Sequence, residues 1–140
     1  MFGKKKPPPI KSLVAQGTRV EGNLHFLDGL RLDGEVTGNV LASEERPSIL
    51  VVSEHAVIDG GVTADHIIIN GRVNGPVHAR HMLELQPKAR IHGDVTYQGL
   101  EMHLGSMVHG TLIPALEQVS ASAPLIPPQA SVPNADAGNS

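Results

Sequence analysis

The chain lacks several of the residues on which common folds depend. Its 140 residues include no cysteine, no tryptophan and only three aromatic side chains, namely Phe2, Phe26 and Tyr97. Without cysteine there is no disulfide framework and no thiolate metal site, which is consistent with a reducing compartment. With so few aromatic residues, a sandwich anchored by Phe and Trp is not expected. Its longest aliphatic runs, residues 49–52 and 67–69, are far shorter than the ~20 residues that span a bilayer.

Two functional signals are also missing from the sequence. No hydrophobic signal-peptide segment follows the N-terminal lysines, so we expect the chain to stay in the cytoplasm. No G-x-x-x-x-G-K-[ST] loop occurs, so nucleotide binding through such a loop is not expected. The sequence also has no recognisable cofactor-binding motif. We therefore expect neither a bound cofactor nor an enzymatic activity.

What the chain has instead is an internal repeat of eleven residues. Each copy has an apolar residue, a small residue four positions later, and then apolar-x-Gly-x-apolar. The six copies begin at Val14, Leu30, Val52, Ile67, Leu85 and Met102. The steps between them are unequal, and a polar insert, Ser43 to Ser48, explains the longest step, which lies between the second and third copies. A period this short is typical of a solenoid.

The repeat also indicates which kind of solenoid forms. Its apolar and small positions lie an even number of residues apart, so they share one face of an extended strand. One copy has too few aliphatic side chains for a core, so the copies must stack. The recurring Gly suits a sharp corner and the close approach of the next backbone. We predict an all-β, single-stranded parallel β-helix of about six rungs over residues 13–113, with disordered tails at 1–12 and 114–140.

The N-terminal tail predicts membrane binding. It carries four lysines and no acid, a formal charge of +4 in a chain of net charge −3, which leaves −7 on the remainder. Lysines near an anionic lipid surface contribute about 1 kcal/mol each, and apolar side chains beside them can insert. The predicted membrane-binding residues are Met1, Phe2, Lys4, Lys5, Lys6 and Lys11. The alternative is a tail that only keeps the protein soluble; nucleic acid is disfavoured, because the acidic remainder repels phosphate and stacking aromatics are few.

The two terminal rungs are as apolar as the middle of the repeat. A monomeric solenoid needs polar capping repeats at both ends, and here neither end has one. An uncapped rung exposes aliphatic core and unpaired strand edges, to which another chain can add. The predicted polymer interface therefore consists of Val14, Val20 and Leu24 in the first rung, and Met102, Met107, Val108 and Leu112 in the last.

Eight histidines invite a metal hypothesis, but their positions favour structural roles. His92 and His109 occupy the same repeat position, just before the Gly, where other copies have Glu21, Thr37, Asp59 and Asn74, which indicates an outward polar ladder. The best remaining ligand cluster is His78-x-x-His81 with His66 nearby, and no carboxylate motif accompanies it. Acids beside the repeat glycines are turn formers rather than an acid–base pair, as at Asp33, Asp59 and Asp94. We therefore predict no metal site and no catalytic residues.

Together, the MFGKKK start, the stacked apolar-x-Gly-x-apolar rungs and the proline-bearing tails resemble the bactofilins, a family of bacterial cytoskeletal proteins. The resemblance extends from Met1 to about Leu112. It implies a right-handed triangular β-helix that polymerises end to end, without nucleotide, into non-polar filaments on the inner face of the cytoplasmic membrane. It also implies a scaffold that localises other proteins, including peptidoglycan-modifying enzymes, and influences cell shape.

Two other functions remain as alternatives. One is an acyltransferase on a hexapeptide β-helix, which has rungs of about 18 residues and uses a histidine base. Against it, the unequal steps between copies break a strict hexapeptide period. The other is a monomeric β-solenoid that binds a partner on a flat face, and the uncapped terminal rungs argue against it.

Overall fold

The computed structural model describes residues 9–115. Within that range all regular structure is β-strand, and no helix is long and apolar enough to cross a membrane. The sixteen strands are β1 Ile10–Val14, β2 Arg19–Glu21, β3 Leu24–Phe26, β4 Gly29–Leu32, β5 Glu35–Thr37, β6 Val40–Ala42, β7 Ile49–Val52, β8 Val57–Asp59, β9 Val62–Ile69, β10 Arg72–Val73, β11 Val77–Leu85, β12 Arg90–His92, β13 Val95–Tyr97, β14 Gly99–Met102, β15 Met107–His109 and β16 Leu112–Pro114.

The strands form six rungs with three faces, and every pairing between rungs is parallel. The first face contains β1, β4, β7, the second half of β9, the second half of β11, and β14. The second face contains β2, β5, β8, β10, β12 and β15, and the third contains β3, β6, the first halves of β9 and β11, β13 and β16. The predicted parallel β-helix of about six rungs is therefore confirmed. Its first strand begins at Ile10, ahead of the predicted boundary at residue 13.

The core consists of apolar columns, each formed by one inward residue from every rung. Strand alternation turns the middle residue of a three-residue strand inward, as at Val36 in β5, which is 1% exposed between two exposed neighbours. All but one of the buried apolar side chains are aliphatic, as the composition predicts, and Phe26 is the exception. Three columns are Val14, Leu32, Val52, Ile69, Leu85 and Met102; Val20, Val36, Ile58, Val73, Ile91 and Val108; and Leu24, Val40, Val62, Val77, Val95 and Leu112.

Two repeat copies open two residues later than the sequence predicts. Val14 pairs with Leu32 rather than Leu30, and Val52 pairs with Ile69 rather than Ile67. With these partners, the numbers of residues between equivalent positions are more even than the steps between the repeat starts predicted from the sequence. Apolar residues at both i and i+2 point inward, so the pattern does not determine which of them opens the copy. In these two rungs the corner after the first strand is two residues shorter.

The corner between the second and third faces explains the recurring Gly. One glycine per rung stacks there, and a Cβ atom added at Gly38 would collide with the carbonyl of Gly22 in the rung before. Gly38 also has a φ of 143°, which L side chains rarely adopt. Both close approach and backbone conformation therefore require glycine at this position, as predicted.

The polar insert Ser43 to Ser48 is the corner between β6 and β7, and a buried polar network holds it to the following rungs. The Ser48 amide donates to Asp65 Oδ2 at 2.9 Å, and the Asp65 amide donates to Ser48 Oγ at 3.0 Å. Arg80 Nε donates to Asp65 Oδ1 at 2.8 Å, and Arg80 Nη2 donates to the Ser43 carbonyl at 3.3 Å. Burial alone raises the pKa of Asp65, but the hydrogen bond and charge of Arg80, together with smaller contributions from the Ser48 amide and His81, outweigh it, so the net pKa is lowered.

Arg80→Met should destabilise the fold by about 2–3 kcal/mol, because it leaves the Asp65 carboxylate desolvated and without its cation. Urea unfolding at pH 7, followed by circular dichroism, measures the loss. Since the pKa of Asp65 is below its usual 3.8, the wild type retains this contribution above pH 3.8 and loses it as the pH falls through the lowered value. Arg31→Met is the control, because its ion pair with Asp33 lies on the surface and should be worth less than about 1 kcal/mol. Equal losses in the two variants would contradict this role of the network.

Candidate polymerisation surfaces

The last rung leaves the core open at the C-terminal end of the β-helix. Met102 and Leu112 remain 44% and 39% exposed, although their partners in the rung before are fully buried. Val108 is half-buried and packs on the fully buried Ile91. These three residues are the final members of the three apolar columns, so an aliphatic cross-section of the core faces the space beyond the rod.

The first rung presents the opposite cross-section. Val20 and Leu24 are half-buried there, and Val14 is 9% exposed. Phe26 is also inward and only 7% exposed, so the N-terminal end is more closed than the C-terminal end. The structure thus places six of the seven predicted interface residues at the ends of the apolar columns.

Met107 is the seventh predicted interface residue, and its position is different. It follows the outward alternation of β15, pairs with Arg90 and is 43% exposed on the second face. Leu100 is an inward residue of the last rung that the sequence analysis missed; it pairs with the fully buried Leu83. A sequence signal for Leu100 exists: it is apolar and lies two residues before Met102, just as the inward Leu30 lies two residues before Leu32.

Backbone groups add to the apolar surfaces at both ends. Within residues 9–115, β1, β2 and β3 have neighbours only in the second rung, and β14, β15 and β16 only in the fifth. Each end therefore presents strand edges with N–H and C=O groups that have no strand partner in the described part of the chain, an arrangement to which another β-strand can add. The four central rungs, in contrast, are paired on both sides.

Of the predicted membrane-binding residues, only Lys11 lies in the described part of the chain. It belongs to β1, and its Nζ atom lies 2.9 Å from Asp28 Oδ2, while Arg46 Nε lies 3.2 Å from Asp28 Oδ1. The hydrogen bond from Lys11 lowers the pKa of Asp28 below its usual value. Lys11 is thus part of the β-helix and already has an anionic partner. Met1, Phe2, Lys4, Lys5 and Lys6 lie outside the described residues.

A groove of about 690 Å³ lies beside this ion cluster at the N-terminal end. Its lining combines the charged groups with apolar surface from Phe26 and Leu27, the latter 44% exposed. The Ser43–Ser48 insert forms the other wall. The groove is therefore built by the corner that connects the first and second rungs and by the insert one rung further along.

The histidines divide into a ladder and scattered residues. His92 and His109 are exposed, and their rings stack with centroids 4.8 Å apart and planes 4° from parallel, which confirms the outward polar ladder. His66 and His81 approach to 6.1 Å, but His78 does not join them in a group of metal-ligand geometry. Within residues 9–115, the one such group of three is Glu84, Glu101 and His103.

Sequence comparison agrees with the architecture. The family model described as "Bactofilin: Polymer-forming cytoskeletal" matches residues 12–113, which is most of the chain and nearly all of the six rungs. No curated protein and no solved structure matches the chain. The family match thus coincides with a six-rung parallel β-helix whose ends are apolar and have strand edges without a partner in residues 9–115. The chain belongs to the bactofilin family of polymer-forming cytoskeletal proteins.

Proposed function

We propose that this protein assembles end to end into cytoskeletal filaments through its first and last rungs. The observation that carries the proposal is the open C-terminal cross-section, where Met102, Val108 and Leu112 end columns whose members in the four central rungs are all fully buried. Covering these side chains removes aliphatic surface from water, which is worth about 25 cal/mol per Å². Pairing of the free strand edges adds directional hydrogen bonds.

The proposed filament is non-polar, with like ends joined. In a joint between two identical ends, each surface must be complementary to itself, and an aliphatic cross-section without charged side chains meets that requirement. The C-terminal end is the more open of the two, so its joint should be the stronger one. The expectation that the filament is non-polar comes from the resemblance to the bactofilins.

The proposed filament lies on the inner face of the cytoplasmic membrane and attaches through the N-terminal segment. Met1, Phe2, Lys4, Lys5 and Lys6 would supply insertion and charge, and the chain enters β1 directly after the prolines at 7–9. Because Lys11 is already paired with Asp28, we assign it a role in the first rung rather than in lipid binding. Three lysines and the two apolar residues remain for the membrane.

As a filament on the membrane, the protein would serve as a scaffold for cell-envelope proteins, with peptidoglycan-modifying enzymes as the partners that the family resemblance suggests. We assign it no catalytic residues. The irregular rungs do not support a hexapeptide acyltransferase, since the step from Leu32 to Val52 is longer than the step from Ile69 to Leu85. A monomeric binding module is disfavoured by the apolar ends.

Purified full-length protein should form thin filaments in physiological salt with or without ATP or GTP, because the proposed joint is apolar and the sequence has no phosphate-binding loop. Negative-stain electron microscopy and sedimentation measure assembly. A parallel sample treated with apyrase during purification is the control for carried-over nucleotide. A protein that stays monomeric or trimeric at micromolar concentration, or that assembles only with nucleotide, would contradict the proposal.

A further inference from the structure

Two carboxylates and one imidazole meet on the first face, at the fifth and sixth rungs. Glu84 in β11 and Glu101 in β14 pair in register, and His103 follows β14 by one residue. His103 Nε2 lies 3.2 Å from Glu84 Oε2 and 3.3 Å from Glu101 Oε2. One ligand atom from each side chain falls within 4.8 Å of the other two.

These separations suit a four-coordinate metal ion. Zinc binds imidazole nitrogen at about 2.0–2.1 Å and carboxylate oxygen at about 2.0–2.2 Å, so two ligand atoms in a tetrahedral site lie roughly 3.3–3.5 Å apart. The two distances from His103 are already close to that value. The side chains of Glu84 and Glu101 are 28% and 55% exposed, which leaves their carboxylates room to rotate toward a shared ion.

The charges of this cluster also favour a cation. Like charges directly opposite each other on paired strands are destabilising, and Glu84 and Glu101 are such a pair. Among residues 9–115, His103 is the only basic side chain that forms an ion pair with either carboxylate. A divalent ion would neutralise both carboxylates, whereas one histidine can offset one at most.

Backbone and neighbouring side chains hold the ligands in place. The His103 amide donates to the Leu85 carbonyl at 2.9 Å, and Ser106 Oγ donates to the His103 carbonyl at 2.8 Å. Gln86 Nε2 donates to Glu84 Oε2 at 3.3 Å. Contacts of this kind orient metal ligands in known sites. A mixed nitrogen and oxygen set favours zinc over magnesium or calcium, which prefer oxygen ligands alone.

We propose that Glu84, Glu101 and His103 bind one Zn²⁺ ion, with water at the fourth position, and that the ion fastens the last rung to the fifth. Strand β14 has no strand partner beyond it in the described residues, so the ion would order the edge that borders Met102. This site differs from the group of His66, His78 and His81, which the sequence suggested as a ligand cluster but for which no metal site was predicted. It does not depend on whether the protein polymerises.

Isothermal titration calorimetry of the full-length protein with ZnCl₂ tests the proposal. We expect one micromolar or tighter site per chain, insensitive to millimolar MgCl₂. Glu101→Gln and His103→Ala should each weaken that site at least tenfold, which is about 1.4 kcal/mol. Glu84→Gln should have the same effect. Because the chain has eight histidines, His81→Ala and His109→Ala are the controls, and both should retain the site.

Two further readouts distinguish a built site from scattered histidine binding. Co²⁺ in the wild type should give the strong visible absorption of a four-coordinate ion, and His103→Ala should lose it. Zn²⁺ should also slow amide hydrogen exchange over residues 99–103 in the wild type. Absence of a micromolar site, or equal Zn²⁺ affinity and Co²⁺ spectra in wild type and His103→Ala, would overturn the proposal.

Discussion

Val108→Arg should stop filament growth at the C-terminal end and leave dimers joined through the first rung. Val108 ends a column in which Val36, Ile58, Val73 and Ile91 are at most 1% exposed, so the joint would enclose the new guanidinium in aliphatic surroundings. Burying an unpaired charge costs several kcal/mol. A loss of about 3 kcal/mol weakens association roughly a hundredfold. Analytical ultracentrifugation and electron microscopy measure the result.

His109→Arg is the matched control for this variant. It adds the same side chain one residue further along β15, but at an outward position in the polar ladder, beside the exposed ring of His92. We expect it to leave filaments intact. Because Val108 is already half-buried on Ile91, circular dichroism must show that Val108→Arg retains its strands. Monomers from folded Val108→Arg would indicate a head-to-tail joint, and normal filaments would refute assembly through this end.

Much of the β-helix could be predicted from the sequence because one small unit repeats. In the apolar-x-Gly-x-apolar phrase, the apolar residues have the spacing of a β-strand and the glycine suits a corner. Repeats of this kind can stack into few folds other than a β-solenoid. In all six copies, the second half of the eleven-residue repeat has the strand register that the sequence predicts. The first half does not, since Leu30 and Leu32 both point inward, and only the length of the corner that follows distinguishes them.

The end surfaces were predictable for the same reason, because residues at one repeat position share one column. Met107 shows the limit of that approach. An apolar residue in a terminal rung was assigned to the joint, although strand alternation places it on the outer face with Arg90. Lys11 shows a second limit. It looks like the fourth lysine of a basic tail, but it lies in β1, and its partner Asp28 is 17 residues further along the chain, where the first rung ends.

The acid–histidine cluster is not visible as a sequence motif, because its two carboxylates are far apart along the chain. His78-x-x-His81 attracts notice as a short motif, but β11 breaks register between Ala79 and Met82, and the two exposed side chains form no group of three metal ligands with His66. Glu84 and Glu101 are one rung apart, and their proximity follows only from the parallel register. In a solenoid, residues one repeat step apart are neighbours, so ligands for one ion can come from successive repeats.

Removing residues 1–8 should abolish binding to anionic membranes while leaving filament formation unchanged. The deletion takes Met1, Phe2 and the lysines at 4–6, but it ends before β1 and keeps the ion pair between Lys11 and Asp28. With about 1 kcal/mol for each lysine near an anionic surface, the lost charge alone should reduce lipid affinity roughly a hundredfold. Co-sedimentation with liposomes containing phosphatidylglycerol measures binding, and electron microscopy of the same sample measures assembly.

Point variants separate the charge of the N-terminal segment from its apolar residues. Replacing Lys4, Lys5 and Lys6 with Ala should weaken sedimentation strongly at low salt, and the difference from wild type should shrink at high salt, where charges are screened. Phe2→Ala removes apolar area and no charge, so its deficit should persist at high salt. Lys11→Ala is the control within the β-helix, and we expect it to bind liposomes nearly as well as wild type. If the protein without residues 1–8 sediments with anionic liposomes as fully as the intact chain, the N-terminal segment is not the membrane anchor.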